Sequence, residues 1–408
     1  MRVAVYHNLW PGGAMRVLHQ QLRWASDDIE YHLYEPSEVK QARKEFGPFA
    51  DLERTCHRDV DVGPIERPLP VGLPPSVAES VRLARRDTTE ASIASLIDQG
   101  RYDLVFLHPD HWTFVPGVAK FLESNAVMLL QEPNRQLYEK ALQRPRQPLR
   151  LVPPSRIRAS ARESALRLFE RRFRRRDQEI LTSPRLGLIS NSDFSGEAIY
   201  RTYARRPTVC RLGVDLDVFV PADSSGAEIE PYVIAVGTVM EHKQHELAVD
   251  AVALLPERSR PALRVVAHRG NEVRIDHLRR RASERGVDLH VHLAISDQEL
   301  ARLYSGALAT MCVAMMEPFG LTTLESLACG TPIVAVREGG FREVVVEGLN
   351  GVLVDPTPAS VAEGLRSVVA SGVQLDPAGM RTWLRENGWD VQSAVGRLEA
   401  ELRRVVEA

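Results

Sequence analysis

The chain has 408 residues, 44% hydrophobic and 26% charged, with a formal net charge of −2 at pH 7. That length holds two domains of about 150–200 residues, each able to bury a full core, and the globular composition carries no low-complexity tract or short-period repeat. Cys56, Cys210, Cys312 and Cys329 lack C-x-x-C spacing, which argues against a zinc site or disulfide framework and fits packing roles in a reducing cytosol.

Arg2–His7 reads as a first strand, Gly12-Gly13 as a loop, and Arg16–Ala25 as an amphipathic helix with Val17, Leu18, Leu22 and Trp24 as apolar positions. A strand, a glycine loop and a helix open a doubly wound α/β sheet. Leu104–Leu107, Ala126–Leu130, Arg185–Ile189 and Thr208–Leu212 are short apolar runs, the expected parallel strands. Asp215 to Pro231 is polar, contains Pro221, Ser224, Ser225 and Gly226, and lacks periodicity, which marks a linker. Tyr232–Val236 then starts a second strand–loop–helix unit, with Gly237-Thr238 and a helix from about His245 to Leu255. Leu263–Ala267, Leu289–Leu293, Ala309–Val313 and Ile333–Val336 continue the alternation into a second doubly wound domain. No apolar run reaches the length of a membrane span or of a signal segment, so no export signal is expected.

Charge is uneven. Residues 1–213 carry 33 basic and 26 acidic groups and the remainder 19 and 28, so the first half is basic and the second acidic. Between Arg144 and Arg176 stand twelve arginines, interspersed with Leu149, Leu151, Ile157, Leu166, Phe169 and Phe173. A basic amphipathic helix of this kind is a solvated surface first, an anionic membrane or acceptor contact second, and a nucleic-acid contact a distant third, because no RNA-binding signature accompanies it.

The window Glu317–Gly340 reads E-P-F-G-L-T-T-L-E-S-L-A-C-G-T-P-I-V-A-V-R-E-G-G. Pro318 and Gly320 mark a tight turn, and Thr322 with Glu325 three residues on forms a capping box for a short helix. Leu324, Leu327 and Ala328 give that helix an apolar face, Gly330 and Pro332 end it, and Ile333–Val336 is a strand buried on both sides. A loop feeding a helix N-terminus presents unpaired N–H groups and partial positive charge, a natural place for a phosphate. Glu317, just before the loop, suits sugar hydroxyls beside such a phosphate, and Glu325 within the helix suits a ribose.

This window closely resembles the signature of retaining glycosyltransferases of the GT-B fold, specifically glycosyltransferase family 4. The resemblance extends over nearly the whole chain and is strongest from about Gly187. N-S-D-F-S at Asn191–Ser195, L-G-V-D at Leu212–Asp215 with Phe219 and Pro221, and the run from Gly339 to Pro356 fall in the family's order. It implies an α/β GT-B fold of two doubly wound Rossmann-like domains facing across a cleft. The N-terminal acceptor domain would be 1–213, the linker 214–231, the C-terminal donor domain 232–388, and 389–408 a helix crossing back. It implies transfer of a sugar from a UDP- or GDP-type nucleotide diphosphate sugar to a sugar, lipid or small-molecule acceptor. In it Glu317 contacts the donor sugar, Glu325 the ribose, the Gly320–Leu321–Thr322 backbone the diphosphate, and Lys243, after Gly237, a phosphate. Lys243 is the only lysine after residue 213. Five residues before it the family carries arginine and this chain Thr238; Arg16 or Arg269 are candidates to replace that charge. The turn Ala267-His268-Arg269-Gly270 is poorer in glycine than the family's, and Leu293 stands for a glycine ahead of Ile295, whose backbone would meet the base.

Gly12 and Gly13 let the backbone approach a ligand. His108 ends the strand Leu104–Leu107 at the edge where open α/β sheets bind ligands, and matches the family's active-site histidine. Glu132 and Arg135, after another strand, are candidates for acceptor recognition. No acidic D-x-D pair lies at a matching strand end, so neither a metal nor another cofactor is expected. A cytoplasmic protein is expected, peripheral at the inner membrane face if the arginines bind lipid. A glycoside hydrolase, a GT-B nucleotide-sugar epimerase and a catalytically degenerate glycosyltransferase-like partner subunit remain as alternatives, the last favoured by Thr238 and Leu293.

Overall fold

The computed structural model describes residues 1–45, 52, 55–65, 75–138, 156–222, 230–268, 270–370 and 375–407. The polypeptide sorts into two units. One comprises Met1–Asn191, Gly196–Cys210 and Leu398–Ala408, the other Ser192–Ser195 and Arg211–Arg397.

The first unit runs β1 (Arg2–Asn8), α1 (Gly13–Arg23), β2 (Glu30–Glu35), α2 (Ser37–Glu45), β3 (Arg58–Asp61), α3 (Pro75–Gln99), β4 (Leu104–Asp110), β5 (Ala126–Leu129), α4 (Arg135–Tyr138), α5 (Arg156–Leu181), β6 (Leu186–Ser190), α6 (Asp193–Tyr203), whose first residues Asp193–Ser195 belong to the second unit, and β7 (Thr208–Val209). Its strands lie in the order β3-β2-β1-β4-β5-β6-β7, every pair parallel. Parallel strands covered on both faces need side chains that are apolar throughout. Val3, Val5, Leu104, Phe106, Val127 and Leu129 meet that need and are fully or almost fully buried.

β2 and β3 read E-Y-H-L-Y-E and R-D-V-D, without an apolar run, and neither is anticipated from sequence. They persist because their buried charges are paired. The Arg43 guanidinium donates to Glu35 at 2.6 to 3.1 Å, and Lys40 Nζ lies 2.6 Å from Asp59. Burial pushes the Glu35 carboxyl up, but hydrogen bonds from His7 and Arg43 outweigh it and hold it down at about 2. β3 does end on an acidic pair of the D-x-D type, Asp59 and Asp61; Asp59 is engaged as above, and Asp61 accepts from the Ser37 hydroxyl and the Gly63 N–H.

Of the arginine-rich segment, residues 144–155 lie outside the described residues, and the remainder forms α5. Its described arginines divide by face. Arg176 is buried and reaches Glu90 of α3 and the Val115 carbonyl, while Arg174 donates to the Leu137 carbonyl. Arg171, Arg172 and Arg175 are exposed. Glu90 also accepts from Arg86, which pairs with Asp110.

The second unit runs β8 (Tyr232–Val236), α7 (His245–Ala253), β9 (Ala262–Ala267), α8 (Glu272–Glu284), β10 (Leu289–Leu293), α9 (Asp297–Ser305), β11 (Thr310–Cys312), α10 (Leu321–Ala328), β12 (Ile333–Val336), α11 (Phe341–Val344), β13 (Gly351–Val354), α12 (Pro358–Ala370), α13 (Pro377–Glu386) and α14 (Val391–Glu407). Its sheet order is β10-β9-β8-β11-β12-β13, again all parallel. The unit boundary falls at Arg211, ahead of the anticipated linker, part of which lies outside the described residues. α14 starts in the second unit and ends in the first. Among the described residues no helix is long and apolar enough to cross a membrane.

Both sheets reverse strand order once, between β1 and β4 and between β8 and β11. Loops leaving the carboxyl ends of those strands diverge, and the crevice they open is where such sheets take ligands.

Candidate active site

In the second unit the loops after β8 and β11 meet at the switch point. The Met315 N–H donates to the His242 carbonyl at 2.8 Å, and Lys243 Nζ donates to Glu317 Oε2 at 2.5 Å. Lys243 ends a 3₁₀ turn, Glu241–Lys243, and Gln244 in the left-handed region turns the chain into α7. Its methylenes lie along Gly237, Cδ standing 3.4 Å from where a Cβ would be. Thr238 accepts at its main-chain carbonyl from Met240, which shapes the same turn. His245, the first residue of α7, is buried and its Nε2 hydrogen-bonds the Gly237 carbonyl at 3.1 Å. Burial lowers its ring to about 4 despite that bond, so it is neutral at physiological pH.

The start of α10 differs from the expected capping box. Its N-cap is Gly320, not Thr322, with φ of 90° and no side-chain cap bond; Thr323 donates its hydroxyl to the Gly320 carbonyl at 2.7 Å. Only glycine fits there, because a Cβ would be left-handed and 2.5 Å from the Phe341 ring. Leu321 and Thr322 therefore occupy the first turn, where backbone N–H groups have no intrahelical acceptor. Glu325 is released from the capping role and lies buried, its Oε2 accepting from the Tyr304 hydroxyl at 3.0 Å.

The Gly339-Gly340 turn supports the Glu317 loop from behind. Gly340 N–H donates to the Glu317 carbonyl at 2.8 Å, and a Cβ on Gly339 would stand 2.4 Å from the same oxygen. Pro318, the next residue, accepts at its carbonyl from the hydroxyls of Ser192 at 2.5 Å and Ser195 at 3.2 Å. Glu343 caps the start of α6, accepting from the N–H groups of Asp193 and Phe194. Ile295 is half-buried just past β10, two strands from β8, and Leu293 is exposed beside Gly270. Arg269 lies outside the described residues.

In the first unit α1 begins at Gly13, earlier than anticipated, with Gly12 as an N-cap that has no side-chain bond. A Cβ on Gly13 would meet nothing within 4 Å, so packing does not require glycine there. Arg16 sits in the first turn, its N–H on the Gly12 carbonyl. His108 lies within β4, which continues to Asp110 rather than ending at Leu107. It is fully buried, and neither ring nitrogen has a hydrogen-bond partner among the described residues. Burial, with His7 nearby, lowers its ring to about 3, so it is a neutral donor and acceptor and a poor acid. Glu132 and Arg135 bind each other at 2.6 Å, which sets both side chains in one geometry.

Sequence reasoning missed Tyr304, His245, Ser192, Ser195 and Glu343 as supporting groups. Tyr304 reads as one more apolar position of a helix, His245 as an ordinary helix start, and Ser192, Ser195 and Glu343 stand inside recognisable motifs whose partners are distant in the chain.

Two all-parallel, doubly wound sheets built this way define a protein of the GT-B fold. Anabaena Alr3699/HepE, solved in complex with UDP and glucose, superposes with a TM-score of 0.70 at 16% identity, covering 99% of this chain and 100% of that one. WaaG, a glycosyltransferase involved in lipopolysaccharide biosynthesis, gives 0.64 at 15%, covering 98% of each. Within that fold, residues 222–388 match the family described as Glycosyl transferases group 1. Sequence relatives include the D-inositol 3-phosphate glycosyltransferases of Xylanimonas cellulosilytica, 32% identical over 51% of this chain and 54% of that one, and of Nocardioides sp., 31% identical over 54% and 55%. The chain thus spans about half the length of the curated relatives it matches.

Proposed function

We propose that this protein is a retaining glycosyltransferase that moves a sugar from a UDP- or GDP-type nucleotide diphosphate sugar to a sugar, lipid or small-molecule acceptor. The observation that carries the reading is the Lys243–Glu317 pair at 2.5 Å across the β8/β11 switch point, beside the uncapped start of α10. An ammonium has three N–H donors, so Lys243 can hold Glu317 with one and a phosphate oxygen with another. The first turn of α10 would receive the rest of the diphosphate.

In the proposed reaction the bond from the anomeric carbon to the diphosphate oxygen breaks, and its electron pair leaves on the diphosphate. Lys243 and the α10 amides stabilise that charge, which is the largest single contribution expected in such a transfer. The acceptor hydroxyl oxygen forms the new bond on the same face of the sugar, and its proton passes to the departing diphosphate oxygen. Glu317, fixed by Lys243, orients the donor sugar through its hydroxyls, and Glu325 takes the ribose. On the first unit, Gly12, Gly13, His108, Glu132 and Arg135 are proposed to receive the acceptor and the sugar, His108 as a neutral hydrogen-bonding group. Protein cations are proposed to carry the phosphate charge without a metal, so EDTA should leave the rate unchanged. A cytoplasmic location is proposed, with the exposed arginines of α5 touching anionic lipid; flotation with phosphatidylglycerol vesicles tests that contact.

The central test combines thermal shift with UDP, GDP and their sugars, and transfer assays on Glu317→Ala. A diphosphate should raise the melting temperature and Glu317→Ala should abolish transfer. Intact transfer by Glu317→Ala, or no stabilisation by any nucleotide diphosphate, would refute the reading. Tight binding without turnover over many acceptors would favour the degenerate partner subunit instead.

A further inference from the structure

Glu325 is a buried carboxylate in the interior of a helix, and desolvating such a group is costly unless its lone pairs are used. A carboxylate offers about four acceptor positions. One of them, on Oε2, is taken by the hydroxyl of Tyr304 at 3.0 Å. Tyr304 is itself fixed at three points. It is fully buried, its main-chain carbonyl accepts from the Thr331 hydroxyl at 2.5 Å, and its ring stands edge-on to Phe219 with centroids 6.3 Å apart. Thr331 is tied in turn, because its carbonyl accepts from Ser326, the neighbour of Glu325 on α10, at 2.9 Å. Ser326 already gives its proton to that carbonyl, so it must accept from Thr310, 2.7 Å away on β11. The result is a closed run of hydrogen bonds from β11 through α10 to α9 and back to the Glu325 carboxylate.

We infer that Tyr304 is a positioning residue for Glu325: by holding Oε2 it fixes the orientation in which the carboxylate meets the ribose hydroxyls of the donor nucleotide. The inference rests on the reading of α10 as the donor site. It assigns part of the ribose selectivity of that site to a hydroxyl on α9. Burial and the adjacent carboxylate push the Tyr304 phenol well above its ordinary value, so it stays a donor over the whole working pH range.

The experiment compares the dissociation constants of UDP and GDP with those of their 2′,3′-dideoxy forms on the full chain, by calorimetry. The readout is the ratio of the dideoxy constant to that of the parent nucleotide, which a general loss of stability leaves unmoved. In the wild type the ratio should be large. Tyr304→Phe keeps the ring and should lower it about tenfold, matching loss of one oriented hydrogen-bonding partner. Phe219→Leu, which removes the ring that Tyr304 stands against and leaves Glu325 intact, should lower the ratio in the same direction if Tyr304→Phe does not fold. A ratio unchanged in Tyr304→Phe but collapsed in Glu325→Ala would overturn the role of Tyr304 while sparing the donor site. A wild-type ratio near one, a ratio indifferent to Glu325→Ala, or no binding of either nucleotide would overturn both.

Discussion

Gly339→Ala should damage this protein through one backbone contact. Gly339 has φ of +63°, and an added Cβ would lie 2.4 Å from the carbonyl oxygen and 2.6 Å from the nitrogen of Glu317. Both are main-chain atoms that cannot swing aside as a side-chain tip would. Holding alanine in the left-handed region costs about 1 kcal/mol, and forcing atoms into a packed site typically costs about 1–3 kcal/mol more. A loss of roughly 2–4 kcal/mol lowers the melting temperature of a unit of this size by about 5–15 °C. Because the displaced backbone is that of Glu317, transfer activity should fall further than stability alone explains. Gly348→Ala is the matched control: its φ is +78°, but a Cβ there meets nothing within 4 Å. It should cost only about 1 kcal/mol and leave transfer unaffected. Melting curves and a transfer assay on the two variants decide the matter. If Gly339→Ala melts with Gly348→Ala and transfers sugar normally, the turn does not support Glu317 as argued.

Lys243→Met should weaken UDP or GDP binding by roughly 10–100-fold, the value of a charge-assisted hydrogen bond; unchanged affinity by calorimetry would remove Lys243 from the phosphate site. Below pH 6.5 stability should fall, because unfolded histidines take up protons that buried His245 and His108 refuse until about pH 4 and about pH 3. Each contributes about 1.4 kcal/mol per pH unit across its window. Urea midpoints measured from pH 7 to 4.5 should show this fall, and His245→Asn should flatten it. Arg176→Ala should cost about 3–5 kcal/mol by leaving Glu90 short of a buried partner. Arg175→Ala, with its side chain 83% exposed, should cost under about 0.5 kcal/mol; equal effects in urea unfolding would contradict the division of α5 into a structural and a solvated face.

The most legible strands, β1, β4, β5, β8 and β12, are those whose environment is the same on both sides. A strand covered by helices above and below must be apolar at every position, and such a run is visible without knowing its partners. β2 and β3 escape notice because their polar residues are satisfied by Arg43, Lys40 and His7, contributed by other elements. The start of α10 shows the same limit at close range. A Thr-x-x-Glu spacing fits a capping box, but the chain enters the helix through Gly320, and Glu325 is drawn instead to Tyr304, 21 residues earlier. The arginine-rich segment reads as one basic face, yet Arg174 and Arg176 are spent on the interior.

Sequence by itself determined the α/β alternation, the glycine and proline turns, and the residue types at the strand ends, because these depend on neighbours a few positions away. Tertiary structure alone decided that Lys243 and Glu317, 74 residues apart, share a hydrogen bond at the switch point, that Gly339 stands against the Glu317 backbone, and that Glu325 leans on Tyr304. Local pattern encodes what a segment can bury; which distant group completes a buried charge is set only when strand order brings the loop ends together.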